Sequence, residues 1–149
     1  MQKSIESKLG TFIHNEHLKS FKLESGPIHW SLNENHVSLE ETIKRAETLF
    51  SVLEEFNIEA KIAIAKELIV YKNEFWPEYD EDDETLDWDA VDAGAYDTTL
   101  EEFCHAITLL DIEINEKSIY LEYDDGDLFG GHRIHATFDY DYKLLKAAI

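Results

Sequence analysis

Three runs near the C-terminal end alternate apolar and polar residues with a period of two. Leu110, Ile112 and Ile114 alternate with Asp111 and Glu113; Ile119, Leu121 and Tyr123 alternate with Tyr120, Glu122 and Asp124. Ile134, Ala136, Phe138 and Tyr140 repeat the pattern. Successive side chains on a strand point to opposite faces, so each run has one apolar face and one polar face. Such runs predict antiparallel strands that bury one face and leave the other in water. Asn115 to Lys117 reads as a first turn. The "DDGD" around Gly126 reads as a second, because Asp-Gly supports the positive φ angles of a tight hairpin. Gly130-Gly131 marks a bulge or a close backbone approach. The tail from Lys143 to Ile149 reads as a short helix or a packed end.

The first third carries shorter strand-like runs: "GTFIHN", "SFKLES" and "PIHWSLN". In the last of these, Ile28, Trp30 and Leu32 share a face opposite His29, Ser31 and Asn33. Between the two strand regions the period changes. Ser38 followed by Glu41 is a capping-box pattern. Behind it, Leu39, Ile43, Ala46, Phe50 and Leu53 make a helical stripe. Asn57 reads as the cap of a second helix or the bend of a continuous one. The second stripe is Ile58, Ile62, Ala65 and Ile69, broadened by Ile64, Leu68, Tyr71 and Phe75, and Pro77 ends it. Thr99 with Glu102 is a second capping box, opening a short helix with Leu100, Phe103 and Ile107 as core candidates. The expected order is βββ–αα–α–βββ, an α+β fold with antiparallel sheet packed against a two-helix hairpin and a short third helix. No repeat or Pro/Gly/Ser linker divides the 149 residues, so residues 1–149 read as one domain.

Charge narrows the partners. The formal net charge is −20, which opposes direct binding to nucleic acid or an anionic membrane and favours a basic protein partner. A hydrophobic fraction of 44% supplies a core, so this charge does not imply disorder. No apolar run is long enough to span a bilayer, and the N-terminus shows no signal peptide. Cys104 is the only cysteine, which excludes an internal disulfide and fits a cytoplasmic location.

Catalytic motifs are weak. The segment "YDDGDLFGGHRIH" is not an EF-hand loop, since its Asp spacing is wrong and no Glu stands at the twelfth position. His132 and His135 are three apart, so on one strand they point to opposite faces and cannot grip one ion. There is no GxSxG elbow and no phosphate loop. Cys104 and His105 are adjacent on a helix and diverge by about 100°. No metal, no cofactor and no catalytic residue is expected.

The stretch from Pro77 to Asp97 contains no Lys, Arg or His, yet it holds Trp88 among its carboxylates. Charge runs are usually solvated loops. A tryptophan between acids suits either a pin onto the core or an interface anchor, with the acids steering a basic partner. The candidate contacts are Asp80, Glu81, Asp82, Asp83, Glu84, Asp87, Trp88 and Asp89. A second candidate patch is Asp124, Asp125 and Asp127.

"TLEEFCHAITLLDIEINEKSIYLEYDDGDLFGGHRIHATFD" resembles an uncharacterised bacterial family, domain of unknown function 2262. The resemblance rests on Glu102-Phe103, on Gly126-Asp127-Leu128-Phe129 and on Gly131-His132, a DGDLFxGH segment. An "LGTF" strand, a W-x-L strand at Trp30 and Leu32, and two helices ending near Trp76 extend it. The acidic linker before the third helix is a departure from it. The resemblance carries over no catalytic residues. By analogy of class it implies an immunity protein, encoded beside a bacterial toxin. The expected function is therefore to bind and neutralise a basic toxin domain, with a nuclease as the expected kind. A nucleic-acid mimic that inhibits a DNA-binding protein, and a small enzyme with a carboxylate or His site near His132, are the alternatives.

Overall fold

The computed structural model describes residues 3–75, 89 and 97–149. Eight strands form one sheet in the order β1 to β8: β1 (Ser4–Ser7), β2 (Gly10–Asn15), β3 (Ser20–Leu23), β4 (His29–Asn33), β5 (Thr108–Ile114), β6 (Ile119–Asp124), β7 (Ile134–Phe138) and β8 (Leu144–Ala148). Neighbours pair antiparallel except at the centre, where β4 and β5 run parallel. A parallel pair needs a long crossover, and the helices supply it. They are α1 (Leu39–Ser51), α2 (Leu53–Phe75) and α3 (Leu100–Ala106). The α+β class and the order of strands, helices and strands are as the alternation predicts. The sheet adds one strand at each end: β1, and β8, which is the tail's packed end rather than a short helix.

Local chemistry explains the helix starts. The Ser38 side chain accepts from the Glu41 amide, and Thr99 and Glu102 complete a reciprocal capping box. The junction between α1 and α2 falls at Val52, whose amide donates to Leu49 and Phe50 carbonyls. This single-residue connection is shorter than the two to five residues usual in helical hairpins. Asn57 is neither cap nor bend; it lies inside α2 and accepts from the buried Tyr123 hydroxyl at 2.6 Å. The inward face of α2 also differs from the expected stripe. Phe56, Ala60, Ile64, Ala65 and Leu68 are buried, whereas Ile58, Tyr71 and Phe75 are exposed. Apolar residues surround much of this helix, so periodicity alone does not choose its inward side.

The sheet's inner face shows the predicted alternation. Ile112, Ile114, Ile119, Leu121, Tyr123, Ile134, Ala136 and Phe138 are buried there. One register detail differs. A bulge between Leu109 and Asp111 buries Leu109 and leaves Leu110 half-buried. The second expected hairpin is also longer than a tight turn, since residues 125–133 separate β6 from β7.

Candidate functional site

Asp125 organises the loop after β6. It is 1% exposed, and its carboxylate accepts from the amides of Asp127, Phe129 and Gly131 at 2.9–3.0 Å. Leu128 N–H donates to the Asp125 carbonyl at 3.1 Å, closing a turn whose central residues Gly126 and Asp127 have φ of 57° and 64°. The Asp-Gly preference for positive φ is thus realised within the loop. A close backbone approach is found at Gly126, and Gly131 has none. A Cβ on Gly126 would lie 2.3 Å from the Ala106 carbonyl oxygen, while one on Gly131 would meet nothing within 4 Å.

Phe129 fastens this loop to the helices. It is fully buried, 6.1 Å from the ring centroids of both Tyr71 and Phe103. Those residues belong to α2 and α3, the two helices that flank the acidic stretch. The root of that stretch is also held. The Asn73 carboxamide donates to the Thr98 carbonyl and accepts from its amide, at 3.1 and 2.8 Å. Buried Lys72 lies beside this root. Burial pushes its ammonium below the usual lysine range, against the opposing pull of Asp97 and Glu102.

Of the candidate contacts, Asp80, Glu81, Asp82, Asp83, Glu84, Asp87 and Trp88 lie outside the described residues. Asp89, Asp124 and Asp127 are exposed. Asp125 is a correction: a buried carboxylate holding three backbone amides is not a surface that a partner can touch. Through Phe129, the loop that carries exposed Asp127 and follows exposed Asp124 is fastened to the two helices that flank the acidic stretch.

A second constellation lies on the sheet's outer face. Strand register aligns Lys22, Ser31, Glu113, Tyr120, Thr137 and Lys146 in one row. His29, Asp111, Glu122 and His135 make the adjoining row. Arg133 bridges Asp111 at 3.2 Å and Glu122 at 3.4 Å, and His135 Nδ1 lies 3.2 Å from Glu122 and within hydrogen-bond reach of the Tyr120 hydroxyl. Burial above all raises the Glu113 pKa, with Lys22 opposing and Glu122 and Asp111 reinforcing it. The Tyr120 phenol is pushed up to about 12, first by burial and then by Glu122 and Glu113.

A family model described as "Uncharacterized protein conserved in bacteria (DUF2262)" matches residues 6–149. The chain belongs to this family. No curated protein and no solved structure matches it.

In this DUF2262 chain the DGDLF segment is the Asp125-centred loop just described. Its residues shape backbone: Asp125 binds amides, Gly126 permits contact with Ala106, and Phe129 fills the core. The outer-face rows escape sequence reading. Alternation marks Glu113, Tyr120, Glu122 and His135 as polar-facing, but which of them become neighbours depends on register. Burial pushes the half-buried Cys104 thiol up, opposite to the shift that activates a nucleophile. Among the described residues no group of three or more His, Cys, Asp and Glu could hold a metal ion, and no helix is long and apolar enough to cross a membrane.

Proposed function

We propose that this DUF2262 chain is an immunity protein that captures a basic toxin domain, of the nuclease kind, and blocks it sterically and electrostatically. The observation that carries this reading is that the loop bearing exposed Asp127, next to exposed Asp124, is fastened through Phe129 to the helix pair that flanks the acidic stretch, in a chain of net charge −20. Exposed Glu67 and Glu74 on α2, and Glu101 and Glu102 on α3, add to the negative potential of that end. An acidic surface of this kind steers a basic partner and raises the association rate, to about 10⁸–10⁹ M⁻¹s⁻¹ at low salt. The outer sheet face suits that role less well, because Lys22, Arg133 and Lys146 interrupt its acids. For the same reason it does not offer the uniform row of carboxylates that a nucleic-acid mimic requires.

The test is a calorimetric titration against the C-terminal domain of the protein encoded immediately upstream, at low and high salt. Tight binding that weakens steeply with salt is the expected result. Replacing Asp82, Asp83, Asp87 and Asp89 by Lys should abolish it while leaving the circular dichroism spectrum unchanged. Binding that survives the reversal with the same salt dependence would remove the acidic stretch from the interface. No binding at either salt would overturn the pairing.

A further inference from the structure

The helices cover the sheet unevenly. α1 lies against β4 and β5, and α2 against β8 and α3. The inner face of the first strands therefore extends beyond the helical layer and leaves a cavity of about 570 Å³ beside the start of α1. That volume falls within the roughly 300–1,000 Å³ typical of small-molecule sites. Its apolar lining is Ile5, Phe21, Leu32, Val37 and Leu39. Past Ile5 and Leu39 a second depression continues between β1 and α1, lined by Ile43 and by the charged residues Lys8, Glu40, Lys44 and Glu47. Apolar surface on this inner face thus remains open to a ligand, although it belongs to the side of the sheet that forms the core elsewhere.

The rest of the lining is polar and carries both signs of charge. The His14 ring lies 4.8 Å from that of Phe21 in a tilted contact, and its Nε2 meets Glu34 Oε1 at 2.5 Å. This contact uses one oxygen of Glu34 and leaves Oε2 with no partner among the described residues. The Lys3 ammonium, also on the cavity, has no partner among the described residues. Neighbouring polar groups are already committed: Asn35 to the Asn33 carbonyl and the Val37 amide, Thr42 to the Ser38 carbonyl. With Asn33 donating to Asn115, what remains is the Lys3 ammonium, the Glu34 carboxylate, the small Ser4 hydroxyl and an apolar floor.

We propose that this cavity binds a free α-amino acid with a large apolar side chain. Glu34 receives the ammonium, Lys3 receives the carboxylate, and the side chain lies on Ile5, Phe21 and Leu39. Local charge balance favours such a zwitterion over a simple anion, which the field of a −20 chain would repel. Continuation of the groove past Ile5 favours a side chain the size of phenylalanine or leucine over that of alanine. No residue lining the site belongs to α2, α3 or the Asp125 loop, and its occupancy does not depend on the immunity reading.

The experiment is an amide chemical-shift titration of the full chain with L-phenylalanine. Phenethylamine, 3-phenylpropionate and L-alanine serve as comparators. Saturable shifts centred on His14, Phe21 and Leu39 are expected, with each comparator at least about tenfold weaker, the loss of roughly one charge-assisted hydrogen bond or of the apolar contact. Lys3→Met and Glu34→Gln should each weaken L-phenylalanine by about tenfold. Both residues are exposed, so unchanged thermal unfolding should confirm that the variants fold. No saturation at millimolar L-phenylalanine, comparators that bind equally, or variants that bind as the parent does would each overturn the proposal.

Discussion

The two halves of the sheet share a strand count but differ in what they do with their inner faces. In β5 to β7 that face is closed: Ile112, Ile114, Ile119, Leu121, Ile134 and Ala136 are all 0% exposed. In β1 to β4 the closure is partial. Phe12 is fully buried, but Ile5 and Leu23 are only half-buried, and the cavity beside α1 opens onto Ile5 and Phe21. The difference follows from the crossover. The helices leave from β4 and return at β5, so they sit over the centre and the C-terminal half. A covered face concentrates stability, and an uncovered apolar face leaves room for a ligand. The polar loops follow the same division. The Asp125 loop of the C-terminal half is locked onto α2 and α3, whereas the β2–β3 turn is exposed from Glu16 to Lys19.

The largest break in this contrast should come from Asp125→Ala. It would leave the buried Phe129 amide and its two neighbours without their carboxylate, at a cost of about 3–5 kcal/mol in denaturant unfolding. A change below about 1 kcal/mol would mean that water replaces the carboxylate and that the loop is not an integral part of the core. Next comes a pair of truncations. Leu121→Ala should cost about 2–5 kcal/mol, as a fully closed core site does, whereas Ile5→Ala should cost about 1 kcal/mol. Equal losses would show that the N-terminal half is as tightly closed as the other.

The smallest effect near neutral pH, and the most selective, is alkaline. Burial raises the phenol pKa of Tyr123, Tyr140 and Tyr142, and Tyr120 is pushed up to about 12, with Glu122 and Glu113 reinforcing burial there. β1 to β4 contain no tyrosine. An unfolded chain releases these protons near pH 10 while the folded chain still holds them, so stability falls as pH rises from about 10 to 12 and is fully present below that window. Thermal unfolding followed across it should show this fall, and Tyr123→Phe should reduce it. A midpoint that does not move, or moves equally in the variant, would remove Tyr123 from the effect.

Much of this molecule is legible in its amino-acid sequence. Period-two alternation named the inner faces of β5, β6 and β7, because side-chain direction on a strand is a local property. Ser38 and Thr99 marked the starts of α1 and α3, because a capping hydrogen bond spans only three residues. The Asp-Gly pair foretold positive φ for the same local reason. Exposure of Asp124 and Asp127 agrees with their reading as surface acids, although Asp125 between them does not share it.

Everything that required a distant partner had to wait for the tertiary structure. Asp125 is buried because Phe129 and Gly131 turn their amides inward onto it, which no charge pattern reveals. The inward face of α2 is set by the strands beneath it, since its apolar residues do not select one side themselves. The β8 strand forms because β7 offers an unpaired edge, although Leu144 to Ala148 carries no alternation of its own. The rows across the outer face and the cavity beside α1 depend on register and on where a crossover lands. The sequence by itself determined the period of each element and its local stops. Which elements meet, and therefore which polar groups are buried, neighbouring or open, was decided only by packing, because those energies belong to pairs of residues far apart in the chain.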